Sequence, residues 1–302
     1  NGLKRRLRED PPDLLVCVDA PDFNLRLAKV AKRAGIPVVY YVSPQVWAWR
    51  RGRVHSIGRV VDHMMVIFPF ETELYEAAGV PVTYVGNPLI ERMAEVPDRD
   101  RARAHLDLPQ AAPVVALLPG SRRSEALRMA PILLEAAEIL EKREPGMRFV
   151  LPVAGPQVAR VLDELGGEMG PANLLRCEDS TIATAAADCA AVTSGTATLE
   201  TAVVGTPLIV LYKLSPVTFW LAQRLVKVPY IGMVNLIAGR EVAPELVQGD
   251  AEPETVADAL QRFLDDPALR ERARADLAGV RETLGHNPSQ RAADVVAGFL
   301  GA

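Results

Sequence analysis

The feature that most constrains this chain is the alternation of short apolar runs, rich in β-branched residues, with longer stretches of helical period. Because the runs are apolar on both faces, they are typical of strands in a parallel sheet that helices cover on both sides. The pattern therefore predicts the α/β class, built from doubly wound sheets. The predicted strands are Leu14–Val18, Val38–Val42, Met64–Phe68, Val82–Val85, Val114–Leu118, Arg148–Val153, Leu174–Cys177, Ala190–Thr193 and Leu208–Tyr212.

The alternation is interrupted over residues 92–112, which are charged and contain proline. A chain of 302 residues is also longer than most single domains, so two lobes with a cleft between them are expected. The predicted division is a first lobe over residues 1–95 and a second over 96–252. The helical segments of residues 253–302 are expected to pack across the lobes.

Composition narrows the partners and the setting. A net charge of −4 argues against a general nucleic-acid binder, which needs a basic surface. Three cysteines without a CxxC pair fit a reduced, cytoplasmic setting. No run of 18 apolar residues and no signal peptide is visible, so no membrane-spanning helix is expected. The chain starts with Asn1 rather than methionine, and we expect a piece to be missing before it.

No metal site is expected. The four histidines are scattered without ligand spacing, and no Walker loop or GxGxxG fingerprint follows a predicted strand. Asp98-Arg99-Asp100 matches a DxD pattern that binds metal in some enzymes. It lies in the charged connector rather than at a strand end, so the start of a solvated helix is the favoured interpretation.

The first candidate site is Leu117–Glu125, at the end of a predicted strand and the start of a helix. Gly120 and Ser121 would expose backbone N–H groups at the positive end of the helix dipole, which suits a phosphate. Arg122 would add a forked positive charge. The alternative is a tight turn followed by solvated arginines.

A second segment, Thr193–Glu200, repeats this arrangement after another apolar strand. The small residues Ser194, Gly195 and Thr196 would let a diphosphate approach the backbone. Glu200 lies one turn into the helix, where its carboxylate would accept from ribose hydroxyls; the alternative is a capping box. Since ligands gather at the carboxyl ends of parallel strands, two such loops favour a nucleotide site.

The first lobe contributes Asp19, which ends a predicted buried strand. A carboxylate there suits a general base acting on an alcohol. Either Asp19 or Asp22 would cap the following helix, and we assign the cap to Asp22 and the chemistry to Asp19.

Two aromatic and basic segments have open interpretations. Trp47 and Trp49 precede three arginines and would flank a sugar, a phosphate or lipid headgroups, or else pack under a loop. The segment Tyr212–Tyr230 would contact lipid headgroups or acyl chains, or else form an ordinary amphipathic helix on the sheet. Its relevant residues are Phe219, Trp220, Leu221, Lys213, Arg224 and Lys227.

Several segments, taken in order, resemble the lipid-A-disaccharide synthase (LpxB) family. The resemblance extends from about Pro12 to Gln248. The segments that carry it are Val18–Asn24, Tyr40–Trp49, Phe68–Glu71, Gly86–Leu89, Leu118–Arg122, Ser194–Glu200 and Phe219–Gln248.

The resemblance implies a GT-B fold of two Rossmann-like lobes, the first of them truncated, without metal or cofactor. It implies an inverting glycosyltransferase of Gram-negative lipid A biosynthesis, a peripheral enzyme of the inner membrane's cytoplasmic face. The donor would be UDP-2,3-diacylglucosamine, the acceptor 2,3-diacylglucosamine 1-phosphate, and the products the lipid A disaccharide 1-phosphate and UDP. Asp19 would be the essential first-lobe aspartate, and Arg122, Glu200 and Asn235 would lie near UDP. Dimers formed by exchange of C-terminal parts are also implied.

The expected mechanism is direct displacement. Backbone N–H groups of residues 120–122 and 194–196, with Arg122, would stabilise charge on the departing UDP. Asp19 would deprotonate the acceptor's 6-hydroxyl.

Two departures from the family pattern leave alternatives open. The family opens with a strand and a Gly-rich loop that are not in this chain, and Asn87 replaces a frequent histidine, so we assign Asn87 no catalytic role. The alternative functions are a UDP-sugar epimerase of the same fold and a truncated, non-catalytic UDP-sugar-binding module.

Overall fold

A computed structural model of the chain describes residues 2–49, 52–165, 170–215, 218–220, 224 and 228–301. The chain divides into two compact units. One contains the chain up to Arg92 together with the part from Glu282 onward, and the other contains most of Met93–Arg281. The helices after residue 252 are divided between the two units.

The first unit is a parallel four-stranded sheet whose strands lie side by side in chain order. Helices cover one face, and the last helix of the chain covers the other by packing Ala292 against Val39, Met65 and Val85. The elements up to Arg92 are α1 (Gly2–Glu9), β1 (Leu15–Val18), α2 (Pro21–Arg33), β2 (Val38–Tyr41), α3 (Val46–Trp49), α4 (Arg53–Gly58), β3 (His63–Val66), α5 (Phe70–Glu76), β4 (Val82–Tyr84) and α6 (Leu89–Arg92).

The second unit is a parallel six-stranded sheet. Its core lies between the buried strands and long helices that pack on them. The described elements are α7 (Arg99–His105), β5 (Val114–Leu118), α8 (Arg123–Arg143), β6 (Arg148–Pro152), α9 (Pro156–Glu164), β7 (Leu174–Cys177), α10 (Ser180–Ala186), β8 (Cys189–Thr193), α11 (Thr196–Val204), β9 (Leu208–Tyr212), α12 (Met233–Ala238), β10 (Glu245–Val247), α13 (Pro253–Asp265) and α14 (Pro267–Thr283). Helix α15 (Pro288–Leu300) completes the chain and belongs to the first unit.

The predicted strands are confirmed, each within two residues at either end. Strand β5 shows why: all of its residues are buried, so neither face needs polar side chains. Strand β10 was not predicted, because it is only three residues long and begins with Glu245.

The order of the second sheet, β10-β9-β8-β5-β6-β7, places its reversal between β5 and β8. Strands added after β5 extend the sheet on one side, and strands from β8 onward extend it on the other. In open parallel sheets the crevice at such a reversal is where ligands bind. The loops that follow β5 and β8 therefore occupy the position that topology favours for a ligand.

The connector before β5 has the structure that its charge pattern predicts. Asp98 is the N-cap of α7, and its carboxylate accepts a hydrogen bond from the Arg101 N–H at 2.9 Å. The helix-start interpretation of Asp98–Asp100 is confirmed.

Candidate functional site

The loop after β5 is built around Gly120 and Glu125. Gly120 has φ +98°, and a Cβ at this position would lie 2.7 Å from the Glu125 side chain, so only glycine fits without displacement. The carboxylate of Glu125 folds back and accepts from the N–H groups of Ser121 and Arg122, each at 3.2 Å. Two of the N–H groups predicted to bind phosphate thus have an internal anionic partner here.

Arg122 is the exposed cation of this loop. It is the N-cap of α8 in an extended conformation, and its side chain is 76% exposed. One guanidinium nitrogen donates to Glu125 at 2.5 Å, which orients the guanidinium group. Tyr212, at the end of β9, lies near this pair. Burial and the charge of Glu125 raise the pKa of its phenol, and the charge of Arg122 only partly opposes them. The sequence analysis placed Tyr212 at the start of the segment Tyr212–Tyr230 and did not predict that it lies near Arg122.

The loop after β8 is tied directly to the loop after β5. The Thr193 hydroxyl, at the end of β8, donates to the Leu118 carbonyl, at the end of β5, at 2.9 Å. Ser194 is anchored through its N–H to the Leu211 carbonyl at 2.8 Å and through its hydroxyl to the Ile231 carbonyl at 3.2 Å. The loops after parallel strands lie at the same edge of the sheet, and the hydrogen bond from Thr193 to Leu118 fixes these two loops side by side.

Helix α11 begins at Thr196, with Gly195 as its N-cap. Gly195 and Thr196 are exposed, whereas Glu200 is half-buried on the second turn. The capping-box interpretation of Glu200 is wrong, because a capping box needs the carboxylate three residues after the cap and Glu200 lies five residues after it. Its role toward a nucleotide stays a prediction.

Asn235, predicted to lie near UDP, is completely buried. Its amide oxygen accepts from the N–H groups of Val242 and Ala243 at 2.8 and 2.9 Å. Its NH₂ group donates to the Ala243 carbonyl at 2.7 Å and to Glu245 at 2.8 Å. These four hydrogen bonds use the full capacity of an amide side chain. In this structure Asn235 organises the backbone and leaves no group for a ligand.

Glu245 is the partner that sequence reasoning missed. Its carboxylate accepts from the N–H groups of Ile231 and Gly232, both at 2.9 Å, besides Asn235. Since the Ile231 carbonyl holds the Ser194 hydroxyl, the pair Asn235–Glu245 supports the loop after β8 from behind. The strand that carries Glu245 was not predicted, and Glu245 entered the sequence analysis only as part of the segment Phe219–Gln248.

In the first unit, the turn after β1 is conformationally strained. Asp19 and Ala20 have φ +46° and +42°, a left-handed conformation that costs non-glycine residues roughly 1–2 kcal/mol each. The Asp19 carbonyl accepts from the Tyr40 hydroxyl at 2.5 Å and from the Asn24 amide at 2.7 Å, and that amide also donates to the Val18 carbonyl at 2.9 Å. The Asp19 side chain is exposed, and within the described residues its carboxylate makes no hydrogen bond or ion pair.

The assignment of Asp22 as the helix cap is wrong. The N-cap of α2 is Ala20, which has no side-chain hydrogen bond to offer, and Asp22 lies within the first turn. Proline explains the shift: Pro21 has φ fixed at a helical value and occupies the first helical position, so the helix begins one residue before Asp22.

The turn after β2 is also strained and rests on a buried carboxyl group. Val42 has φ +67°, which is rare for a β-branched residue. Behind it, Ser43 shares a hydrogen bond with the Tyr75 hydroxyl at 2.8 Å, and Glu71 accepts from the Phe68 N–H at 3.2 Å. Burial, with Glu71 only 1% exposed, raises the pKa of this carboxyl group to about 7, while hydrogen bonds from Phe68 and Ser43 lower it.

The structure decides between the alternative interpretations of the aromatic segments for some of their residues. Trp47 meets the ring of Phe70 edge to face at 5.2 Å, and Phe70 stacks on Phe68 at 5.5 Å, which favours packing for Trp47. The Trp49 side chain, Arg50 and Arg51 lie outside the described residues, as do Leu221 and Lys227.

Of the second segment, Trp220 is 53% exposed. Lys213 is engaged with Glu252 at 2.8 Å and with the Ala251 carbonyl.

The described residues contain no cluster of His, Cys, Asp or Glu side chains with the arrangement of a metal site. Among them, no helix has the length and apolar character that crossing a bilayer requires. The three cysteines carry free thiols.

Solved structures with little sequence identity to this chain share its fold. A putative UDP-N-acetylglucosamine 2-epimerase from Listeria monocytogenes superimposes with a TM-score of 0.66 at 13% identity, covering 100% of this chain and 78% of that one. The calicheamicin glycosyltransferase CalG4 gives a TM-score of 0.59 at 18% identity, covering 99% of this chain and 76% of that one. The fold is therefore the GT-B arrangement of parallel sheets flanked by helices.

Comparisons of the sequence are more specific. The family model described as lipid-A-disaccharide synthetase (LpxB) matches residues 1–297. The lipid-A-disaccharide synthase of Geobacter metallireducens is 46% identical over 99% of this chain and 78% of its own length. That of Trichlorobacter lovleyi is 49% identical over 96% of this chain and 76% of its own length. The chain belongs to the lipid-A-disaccharide synthetase family and is a hexosyltransferase of lipid A biosynthesis.

Proposed function

We propose that the chain transfers 2,3-diacylglucosamine from its UDP derivative to 2,3-diacylglucosamine 1-phosphate, with inversion, and releases UDP. The observation that carries this proposal is the pair of loops at the reversal of the second sheet, joined by the hydrogen bond from Thr193 to Leu118. Such a position suits the diphosphate of a nucleotide sugar. The family supports the sugar-transfer step.

On the donor side, Arg122 is the main phosphate contact in this proposal. The backbone N–H groups of Ser121 and Arg122 already donate to Glu125, whereas the exposed guanidinium donates to Glu125 through one nitrogen and has further N–H groups to offer a phosphate. Gly195 and Thr196, which are exposed in the adjoining loop after β8, add contacts to the diphosphate, and Glu200 binds the ribose hydroxyls. Arg122 stabilises the charge that develops on departing UDP. Asn235 acts through Glu245 and the Ile231 segment.

On the acceptor side, Asp19 is the general base toward the 6-hydroxyl. Its carboxylate is exposed at the carboxyl edge of the first sheet, and the backbone that carries it is strained. Strain of this kind clusters at functional sites. The proton moves from the attacking hydroxyl to Asp19 as the bond from that oxygen to the donor's anomeric carbon forms and the bond to UDP breaks.

The decisive experiment replaces Asp19 with Asn and measures turnover with both lipid substrates, and UDP binding by calorimetry. We expect turnover to fall by about 10²–10⁴-fold, the usual worth of a general base, with UDP affinity unchanged. Asp22→Asn is the matched control, because Asp22 is an exposed carboxylate on the same turn and is expected to retain activity. Near-normal turnover of Asp19→Asn contradicts the base assignment.

The fold neighbours favour one other function. They include a UDP-N-acetylglucosamine 2-epimerase from Neisseria meningitidis solved with UDP-N-acetylglucosamine, at a TM-score of 0.62 and 14% identity. An epimerase would act on the UDP-sugar without an acceptor. Assays of UDP release with and without the acceptor lipid separate the two, because transfer requires the acceptor.

Because both substrates are lipids, we propose peripheral association with the cytoplasmic face of the inner membrane. Exposure of Trp220 supports a contact with the bilayer surface. Trp220→Ser is expected to reduce sedimentation with anionic phospholipid vesicles. Unchanged sedimentation assigns Trp220 to packing.

A further inference from the structure

The turn after β1 holds Asp19 in a conformation that its own sequence does not favour. Two successive residues, Asp19 and Ala20, have left-handed backbone, and neither is glycine. Ala20 has no polar side chain with which to offset that conformation, and it occupies the N-cap of α2 without capping it. Something outside these two residues must hold the turn.

Two side chains from different elements hold it. From α2, the Asn24 amide donates to the carbonyls of both Val18 and Asp19. From β2, the Tyr40 hydroxyl donates to the Asp19 carbonyl at 2.5 Å. Both act on the backbone, so the carboxylate of Asp19 remains available to a substrate.

The two donors differ in their own support. Tyr40 is fully buried, and burial together with the charges of Cys17 and Asp19 raises the pKa of its phenol, so it stays a donor throughout the working pH range. Asn24 is half-buried on the first turns of α2. Both side chains donate to backbone carbonyls, so neither hydrogen bond involves the Asp19 carboxylate.

We propose that Asn24 and Tyr40 are positioning residues that fix the Asp19 carboxylate for proton transfer. This inference rests on the proposed role of Asp19 as general base. A general base must lie within hydrogen-bond reach of the proton it takes, and a displacement of about 1 Å costs on the order of 100-fold in rate. Loss of either donor lets the turn relax away from its left-handed conformation and moves the carboxylate.

The test compares Asn24→Ala and Tyr40→Phe with matched controls in the full chain. Tyr84→Phe removes a hydroxyl that donates to the Thr283 carbonyl at 2.6 Å, and Asn173→Ala removes an amide that donates to the Pro145 carbonyl at 3.3 Å. We expect kcat to fall by about 10- to 100-fold in the first pair, with the KM for the UDP-sugar and the UDP affinity unchanged. The controls are expected to stay within about twofold of the parent.

A rescue separates positioning from general stability. Glycine adopts left-handed backbone readily, so Ala20→Gly lets the turn hold itself. In the Asn24→Ala background, Ala20→Gly is expected to restore kcat at least severalfold, whereas it should not improve the Tyr84→Phe control.

Four outcomes decide the matter. A fall in kcat that is rescued by Ala20→Gly supports the inference. Normal kcat in Asn24→Ala and Tyr40→Phe, with Asp19→Asn inactive, overturns the inference and leaves the base assignment intact. A fall that parallels lost UDP affinity or lost thermal stability assigns these residues a structural role and also overturns it. Full turnover of Asp19→Asn removes the base assignment itself and the positioning role with it.

Discussion

Loops at the carboxyl edges of both sheets contain left-handed backbone, but different residue types adopt it in the loop after β5 and in the loops after β1 and β2. After β5, the left-handed position is Gly120, which adopts that conformation without strain. After β1 and β2, the left-handed positions are Asp19, Ala20 and Val42, which adopt it at a cost.

The contrast concerns the loops after β1, β2 and β5 and not every strand end, because Gly86 follows β4 with φ +96° and Gln248 follows β10 with φ +56°. After β5, Gly120 leaves room for the Glu125 side chain. After β1, a carboxylate, Asp19, stands at a left-handed position that glycine would adopt more easily.

The two edges also use folded-back carboxylates differently. Glu71 and Glu125 each accept a backbone N–H from the residues that follow a strand. Glu125 is paired with Arg122 and partly exposed, whereas Glu71 is buried and its pKa is raised to about 7. At the edge of the second sheet, the exposed Arg122 is therefore held by its counter-ion Glu125. At the edge of the first sheet, Glu71 is a buried carboxyl group that readily stays neutral.

The largest effect that sharpens this comparison is expected for Arg122→Ala. Loss of charge-assisted hydrogen bonds to the diphosphate should cost about 1.5–3 kcal/mol, or roughly 10- to 100-fold in UDP affinity by calorimetry. Arg128→Ala is the matched control, since Arg128 is an exposed arginine of the same helix that donates to the Ser124 carbonyl. Equal affinities of both variants would remove Arg122 from the phosphate site.

The next effect concerns Gly120→Ala. The new Cβ would lie 2.7 Å from the Glu125 side chain in backbone that disfavours alanine, so we expect a loss of about 1–3 kcal/mol in the free energy of unfolding. Urea denaturation measures it. As a control, Gly279→Ala adds a Cβ within α14 with nothing inside 4 Å, and should not destabilise. A neutral Gly120→Ala would mean that the loop after β5 tolerates the strain seen after β1.

A pH-dependent effect is expected from Glu71→Gln. In the unfolded chain the Glu71 carboxyl group has its ordinary pKa of 4.5, while burial raises its pKa in the folded protein to about 7. The native state therefore loses stability as pH rises from about 4.5 to 7, and the loss is complete above 7.

Glutamine can still accept from Phe68 without ionising, so the variant should gain roughly 1–3 kcal/mol over the parent above pH 7. It should show no gain below pH 4.5. Chemical denaturation at both pH values checks this, and parallel pH profiles of the two proteins would contradict a raised pKa.

The smallest effect is expected for Ala20→Gly in the parent chain. Relief of left-handed strain is offset in part by the greater freedom of glycine in the unfolded state, which leaves a gain below about 1 kcal/mol. Thermal unfolding at matched concentration measures it. A clear loss of stability would show that the turn after β1 is not strained in the sense that separates the two edges.

Much of the fold follows from local pattern. Strands such as β5 and β9 are uniform apolar runs, and the loops after β5 and β8 have small residues at a strand-to-helix junction. The loops after β5 and β8 are neighbours because these two strands pair, and the strand order of the sheet reverses between them. Strand pairing is not encoded in any local sequence pattern.

The remaining site features depend on burial and on single-residue shifts. Asn235 matches a family motif, but only the structure shows that its amide is saturated by Val242, Ala243 and Glu245. Asp22 was misassigned because the preference of proline for the first helical position outweighs that of aspartate for the cap. The left-handed turn at Asp19 and Ala20 contains no glycine, so nothing in the sequence indicated it.

The return of α15 to the first sheet has a consequence for how the chain matures on the ribosome. The Asn87 N–H donates to the Leu284 carbonyl, and Arg291 donates to the Tyr84 carbonyl, 207 residues earlier in the sequence. A nascent first unit therefore exposes Val39, Met65 and Val85 until α15 has been translated, whereas the second unit comes from the middle of the chain and can close first. Such distant contacts form slowly, and the half-covered sheet is the species that chaperones would need to shield.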